Sequence, residues 1–138
     1  MAQTGKQDSA EWKIECPDNV EFNFDADRVR NALEELLDNS RQMLPPGEML
    51  RLGLQAEIET RDGRQWLSLR FWDNGPGIPI EKRDRVFEPF FSERPYGKRS
   101  TGLGLNFVRR VAEAHGGAVR ITGKPGVGAE FVIEVPKS

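Results

Sequence analysis

An apolar run that ends in an acid and two glycines limits this chain more than any other stretch. Trp66-Leu67-Ser68-Leu69-Arg70-Phe71-Trp72 reads as a strand and runs straight into Asp73-Asn74-Gly75-Pro76-Gly77-Ile78. Gly75 and Gly77 admit positive φ and let another group approach the backbone, while Pro76 fixes φ between them. A turn that only reverses the chain does not need a carboxylate at the end of a buried strand. Asp73 would stand at the mouth of a pocket as an acceptor-only group, able to read an exocyclic amine. Taken alone, the hexapeptide reads equally well as a Gly/Pro turn carrying a solvated aspartate.

Composition narrows the field by exclusion. The 138 residues suffice for one domain with its own core. With 20 basic and 22 acidic side chains the formal charge is −2, which gives no cause to expect nucleic acid or an anionic membrane as partner. The single cysteine, Cys16, cannot form an internal disulfide and fits a reducing, cytoplasmic compartment. No apolar run approaches the roughly 18 residues of a membrane helix and no signal peptide is visible, although the cytoplasmic part of a membrane-anchored sensor would read the same. Residues 1–10 are small and polar and are expected to be a disordered lead-in, with residues 11–138 forming the domain.

Trp12–Cys16 and Val20–Phe24 alternate as strands, separated by a turn at Pro17-Asp18-Asn19. Asp25 is a natural N-cap for a helix from Ala26 to about Leu44, stopped by Pro45-Pro46-Gly47. On that helix Val29, Leu33, Leu36, Leu37, Ser40 and Leu44 form an apolar-dominated stripe. Glu35, Asn39 and Gln42 fall on its flank, either as a solvated edge or as the rim of a cleft. Met49–Thr60 and Gln65–Trp72 read as a hairpin turning at Arg61-Asp62-Gly63. Pro79–Val86 reads as a short helix, followed by Phe87-Glu88-Pro89-Phe90-Phe91, an aromatic segment expected to be anchored in the core. Ser92–Thr101 is polar and basic, as loops are.

Thr101-Gly102-Leu103-Gly104-Leu105 leads into a helix, Asn106–Ala114, ended by His115-Gly116-Gly117. Its glycine-rich start offers free N–H groups to an anion, or meets a packing requirement where loop joins helix. His115 at the C-terminus reads as structural, held by the dipole and the terminal carbonyls. Ala118–Thr122 and Ala129–Val135 form a closing hairpin. Zinc spacings, a Gly-x-Ser-x-Gly elbow and a Walker-type loop are all missing from the sequence.

Four motifs occur in a telling order: Glu35-Leu36-Leu37-Asp38-Asn39, Asp73-Asn74-Gly75-Pro76-Gly77, Val86-Phe87-Glu88-Pro89-Phe90-Phe91 and Gly102-Leu103-Gly104-Leu105. Together they resemble the N box, first glycine box, F box and second glycine box of the gyrase, chaperone, histidine-kinase and MutL ATPase superfamily. Within it the chain is similar to the catalytic and ATP-binding domain of sensor histidine kinases, and most similar to those of the nitrogen-regulation type. The resemblance implies an α+β fold, a two-layer sandwich of the Bergerat type with a mixed, mainly antiparallel sheet covered on one face by helices. It implies ATP and Mg²⁺ as ligands. Asp73 would accept from the adenine amine, Gly75 and Gly77 would admit the base, and Ile78 would lie on its face. Asn39 would hold the metal, and Glu35 occupies the position of the family's base or water-orienting residue. Thr101, Gly102, Leu103, Gly104 and Leu105 would surround the phosphates, with Lys98 and Arg99 neutralising the γ-phosphate.

The chain departs from the family pattern in three places. Gln42 stands where many histidine kinases carry Lys, Ala129 where a Thr is common, and no phosphoacceptor histidine is recognisable. The expected partners are therefore a separate dimerisation and phosphoacceptor domain and, through it, a response regulator. The isolated unit is expected to be monomeric and unable to autophosphorylate. The alternatives are an ATP-dependent switch module without phosphotransfer and a protein-serine kinase of the anti-sigma type.

Overall fold

The structure is a computed structural model that describes residues 2–7, 10–17, 25–45, 47–91, 104–123 and 128–137. Strands β1 (Ala2–Gln7) and β2 (Ala10–Glu15) precede helix α1 (Ala26–Met43). Strands β3 (Leu50–Arg61) and β4 (Arg64–Asp73) follow, then two 3₁₀ turns at Ile80–Lys82 and Arg85–Phe87. Helix α2 (Gly104–Ala114) and strands β5 (Ala118–Thr122) and β6 (Glu130–Pro136) complete the chain. The six strands form one sheet in the order β1-β2-β3-β4-β6-β5. Every pairing is antiparallel except β2 with β3, which α1 joins as a crossover.

Local chemistry explains where the elements begin and end. Asp25 caps α1 by accepting from Arg28 N at 3.1 Å. The β3–β4 hairpin closes on Asp62 and Gly63, both at positive φ (51° and 77°), the pair a tight primed turn requires. Helix α2 ends in a Schellman motif: Gly116 stands at φ 80°, Gly116 N donates to Glu113 O at 3.0 Å, and Gly117 N donates to Ala112 O at 2.9 Å. His115 then joins the two helices. Its Nε2 accepts from Asp25 N at 3.0 Å, which leaves Nδ1 to donate to Val111 O at 2.8 Å.

Alternation sorts the sheet into two faces. Leu67 and Phe71 of β4, and Phe131, Ile133 and Val135 of β6, pack against Ala32 and Leu36 of α1 and Val108, Val111 and Ala112 of α2. Phe131 and Leu36 are fully buried, each worth about 1.5–3 kcal/mol by area. The opposite face carries charge instead, with Arg61, Arg70 and Arg120 paired to Glu59, Glu130 and Glu134 above buried Ser68 and Val132. Among the described residues the helices therefore cover one side only, and the two-layer sandwich follows.

Three expectations need correction. Residues 2–7 are not a lead-in; they pair with β2 along the whole strand, with the Trp12 indole filling the space over Gly5. The segment after the glycine turn forms two 3₁₀ turns in place of one short helix. The aromatic segment is only partly buried: Phe87 meets Phe131 edge-on at 6.3 Å, but Phe90 is 76% exposed at φ 65°. The strand expected at Val20–Phe24 lies outside the described residues.

Candidate functional site

Strand β4 delivers Asp73 to the helix-covered face, where the side chain is only 6% exposed. A buried carboxylate is costly unless its lone pairs are satisfied. Asp73 Oδ1 accepts from Gly75 N at 2.9 Å and from Ala129 N at 3.2 Å, while Oδ2 accepts from Ser40 Oγ at 2.6 Å. Among the described residues no cation pairs with it, so its charge is held by hydrogen bonds. A carboxylate offers about four lone-pair positions. With these bonds made, one acceptor position on Oδ2 remains open among the described residues.

The turn behind Asp73 is fixed from both sides. Asn74 Oδ1 accepts from Arg51 N at 2.8 Å and its amide donates to Met49 O at 3.0 Å, splicing the turn to the start of β3. Gly77 stands at φ 77°, as its place in the motif anticipates. Gly75 does not; a Cβ there would come 3.1 Å from Asp73 Oδ1, so its requirement is close approach to the acid. Gly128 is needed for the same reason, because a Cβ there would collide with the Asp73 carbonyl oxygen. Ile78 is 8% exposed and belongs to the core.

Helix α1 supplies the facing wall. Asn39 is 6% exposed and its neighbour Ser40, whose hydroxyl is bound to Asp73, is fully buried. One turn earlier Glu35 Oε2 fills the space a side chain at Gly104 would need. Its carboxylate therefore lies at the N-terminus of α2, where the dipole favours an anion. Glu35, Asn39, Asp73, Gly75, Gly77, Ile78, Gly104 and Leu105 thus come from three neighbouring segments: α1, the turn after β4 and the start of α2. Lys98, Arg99, Thr101, Gly102 and Leu103 lie outside the described residues.

Two residues outside the sequence motifs also hold this region together. Ser40 was counted with the apolar stripe, although a buried hydroxyl between Leu36 and Leu44 must find a partner. Arg83, between the 3₁₀ turns, reaches the carbonyls of Ile78, Ile121 and Gly123. Gln42 Oε1 is buried without a hydrogen-bond partner among the described residues.

As magnesium donors, the side-chain oxygens of Glu35 and Asn39 are hard and stand one helical turn apart. Among the described residues no group of three or more His, Cys, Asp or Glu could hold a metal. Mg²⁺ takes one or two protein oxygens and completes its shell with phosphates and water. Among the described residues no helix is long and apolar enough to cross a membrane.

Residues 24–138 match the family described as histidine kinase-, DNA gyrase B-, and HSP90-like ATPase. The sensor protein ChvG of Rhizobium meliloti is 38% identical over 119 residues, covering 79% of this chain and 19% of that protein. The mycobacterial sensor histidine kinase MprB superposes with a TM-score of 0.72 at 30% identity, over 94% of this chain and 83% of that one. Full-length ShkA, in complex with AMPPNP, gives 0.70 at 30% identity, over 94% of this chain and 25% of that one. Fold and comparisons agree on the class, a two-layer ATPase-type sandwich. The chain belongs to the histidine kinase-, DNA gyrase B- and HSP90-like ATPase family, and within it to the catalytic domains of sensor histidine kinases. It spans about a fifth (19%) of the length of the curated relatives it matches.

Proposed function

We propose that this domain binds Mg²⁺-ATP and donates the γ-phosphoryl group to a histidine on a dimerisation and phosphoacceptor domain, which in turn serves a response regulator in the cytoplasm. The observation that carries this reading is Asp73, a buried carboxylate with one acceptor position left. That position suits the exocyclic amine of adenine, since a hydrogen bond to a charged group contributes about 1.5–3 kcal/mol. Gly75, Gly77 and Ile78 border the base in this reading. Asn39 holds the metal, with Glu35 beside it to orient the attacking group. Magnesium, when bound, neutralises charge on the phosphates. Backbone N–H groups from Gly102 to Leu105 and the cations Lys98 and Arg99 attend the same phosphates, with Thr101 beside them.

The acceptor is not His115. It is the chain's only histidine, and both of its ring nitrogens are engaged between the helices. Mixing this domain with a histidine-bearing dimerisation domain and γ-labelled ATP tests the proposal. Acid-labile, base-stable label on that partner is expected. Acid-stable label on serine, or nucleotide binding with no transfer, would contradict it.

A further inference from the structure

The geometry points to Ser40 as a positioning residue for adenine recognition, one that fixes the direction in which Asp73 presents its remaining lone pair. This rests on the reading of Asp73 as the base-reading acid.

Ser40 lies in the interior of α1 and is fully buried, so its hydroxyl has no access to water. Serines in helix interiors commonly bond back to the carbonyl one turn earlier. The bond recorded here instead reaches Asp73 Oδ2, 33 residues along the chain, at 2.6 Å. That distance is typical of a charge-assisted O–H···O⁻ bond, about 2.5–2.7 Å, roughly twice as strong as a neutral one.

The accounting at Asp73 gives this bond its consequence. Oδ1 is saturated by two backbone amides, Gly75 N and Ala129 N, and no substitution other than proline removes those donors. Oδ2 has the Ser40 hydroxyl alone among the described residues. Residue 129, an alanine, brings only its backbone amide to the acid. Ser40 is therefore the one side chain among the described residues that fixes Oδ2. Without it Oδ2 would have two open positions and no set direction, and the carboxylate would pivot about its Oδ1 bonds. Because Ser40 directly follows Asn39, one turn of α1 would align the base-reading acid and the metal-holding amide together.

A ligand-by-mutant cycle isolates this role. The probes are ATP and purine riboside triphosphate, which lacks only the exocyclic amine, titrated into the chain and into Ser40→Ala. ATP affinity is expected to fall about tenfold in the variant while affinity for the analogue changes less than about twofold. The ratio of the two affinities is insensitive to partial loss of folded protein, so general destabilisation cannot imitate the result. Equal losses for both nucleotides, or no loss for ATP, would overturn the role of Ser40. Asp73→Asn run in parallel separates the levels. If it too leaves the ratio unchanged, the adenine reading itself fails; if it collapses the ratio and Ser40→Ala does not, only the assignment of Ser40 fails.

Discussion

The Arg83 guanidinium donates to three carbonyls, those of Ile78 at 3.2 Å, Ile121 at 3.4 Å and Gly123 at 2.6 Å. It thereby ties the residues that follow Asp73 to the end of β5. Hydrogen bonds from a charged donor contribute about 1.5–3 kcal/mol, less where solvent screens them. Arg83→Ala is accordingly expected to cost about 2 kcal/mol in urea unfolding, with Arg83→Lys recovering only part of it because a point charge lacks the fork. A loss below about 0.5 kcal/mol for the alanine variant would contradict this bracing role. Arg83 was illegible in the sequence because its partners are backbone carbonyls, two of them about 40 residues away, and carbonyls carry no residue signature. Ser40 was half legible: its place on the stripe said buried, but nothing local named Asp73. Asp73 stands out in the sequence because Gly75, two residues on, leaves room for its carboxylate.

Both helices were legible because their caps are local. Asp25, Pro45-Pro46 and His115-Gly116-Gly117 mark ends that the structure places within a residue or two. The β3–β4 hairpin was legible because Asp62-Gly63 satisfies its turn within two residues. Elements decided by distant partners were harder. Residues 2–7 look like a polar tail, and only pairing with β2 makes them a strand; a glycine under the Trp12 indole is the one trace of that in the sequence. The same cross-strand device recurs where the Trp72 indole occupies the space over Gly53. The aromatic segment misled through its count. Phe87 reaches the core, held by Phe131 edge-on and by Asn106, whose amide donates to Phe87 O at 3.0 Å, and half-buried Phe91 packs against it, whereas Phe90 turns outward.

The sandwich as a unit depends on a sheet with two unlike faces, and its acid stability reports on the charged one. Burial pushes the Glu134 carboxyl up, but hydrogen bonds and charge from Arg120 and Arg61 outweigh this and leave it below its ordinary value of 4.5. The side chain is 13% exposed, so this is not a freely screened surface pair. Folded, Glu134 releases its proton at lower pH than in the unfolded chain, and unfolding between those values takes up a proton. Its stabilisation is complete above the ordinary value and is lost as pH falls through the depressed one. Urea midpoints measured from neutral pH to about pH 3 are expected to fall less steeply for Glu134→Gln than for the parent chain. Parallel curves would contradict that. The account as a whole stands on Asp73 as the group that reads adenine, and calorimetric titration of ATP with magnesium into the parent chain and Asp73→Asn tests it most directly. Saturable binding by the parent and at least about tenfold weaker binding by the variant is the expected result. Equal affinity in the two, or no binding of ATP by the parent chain, would contradict it.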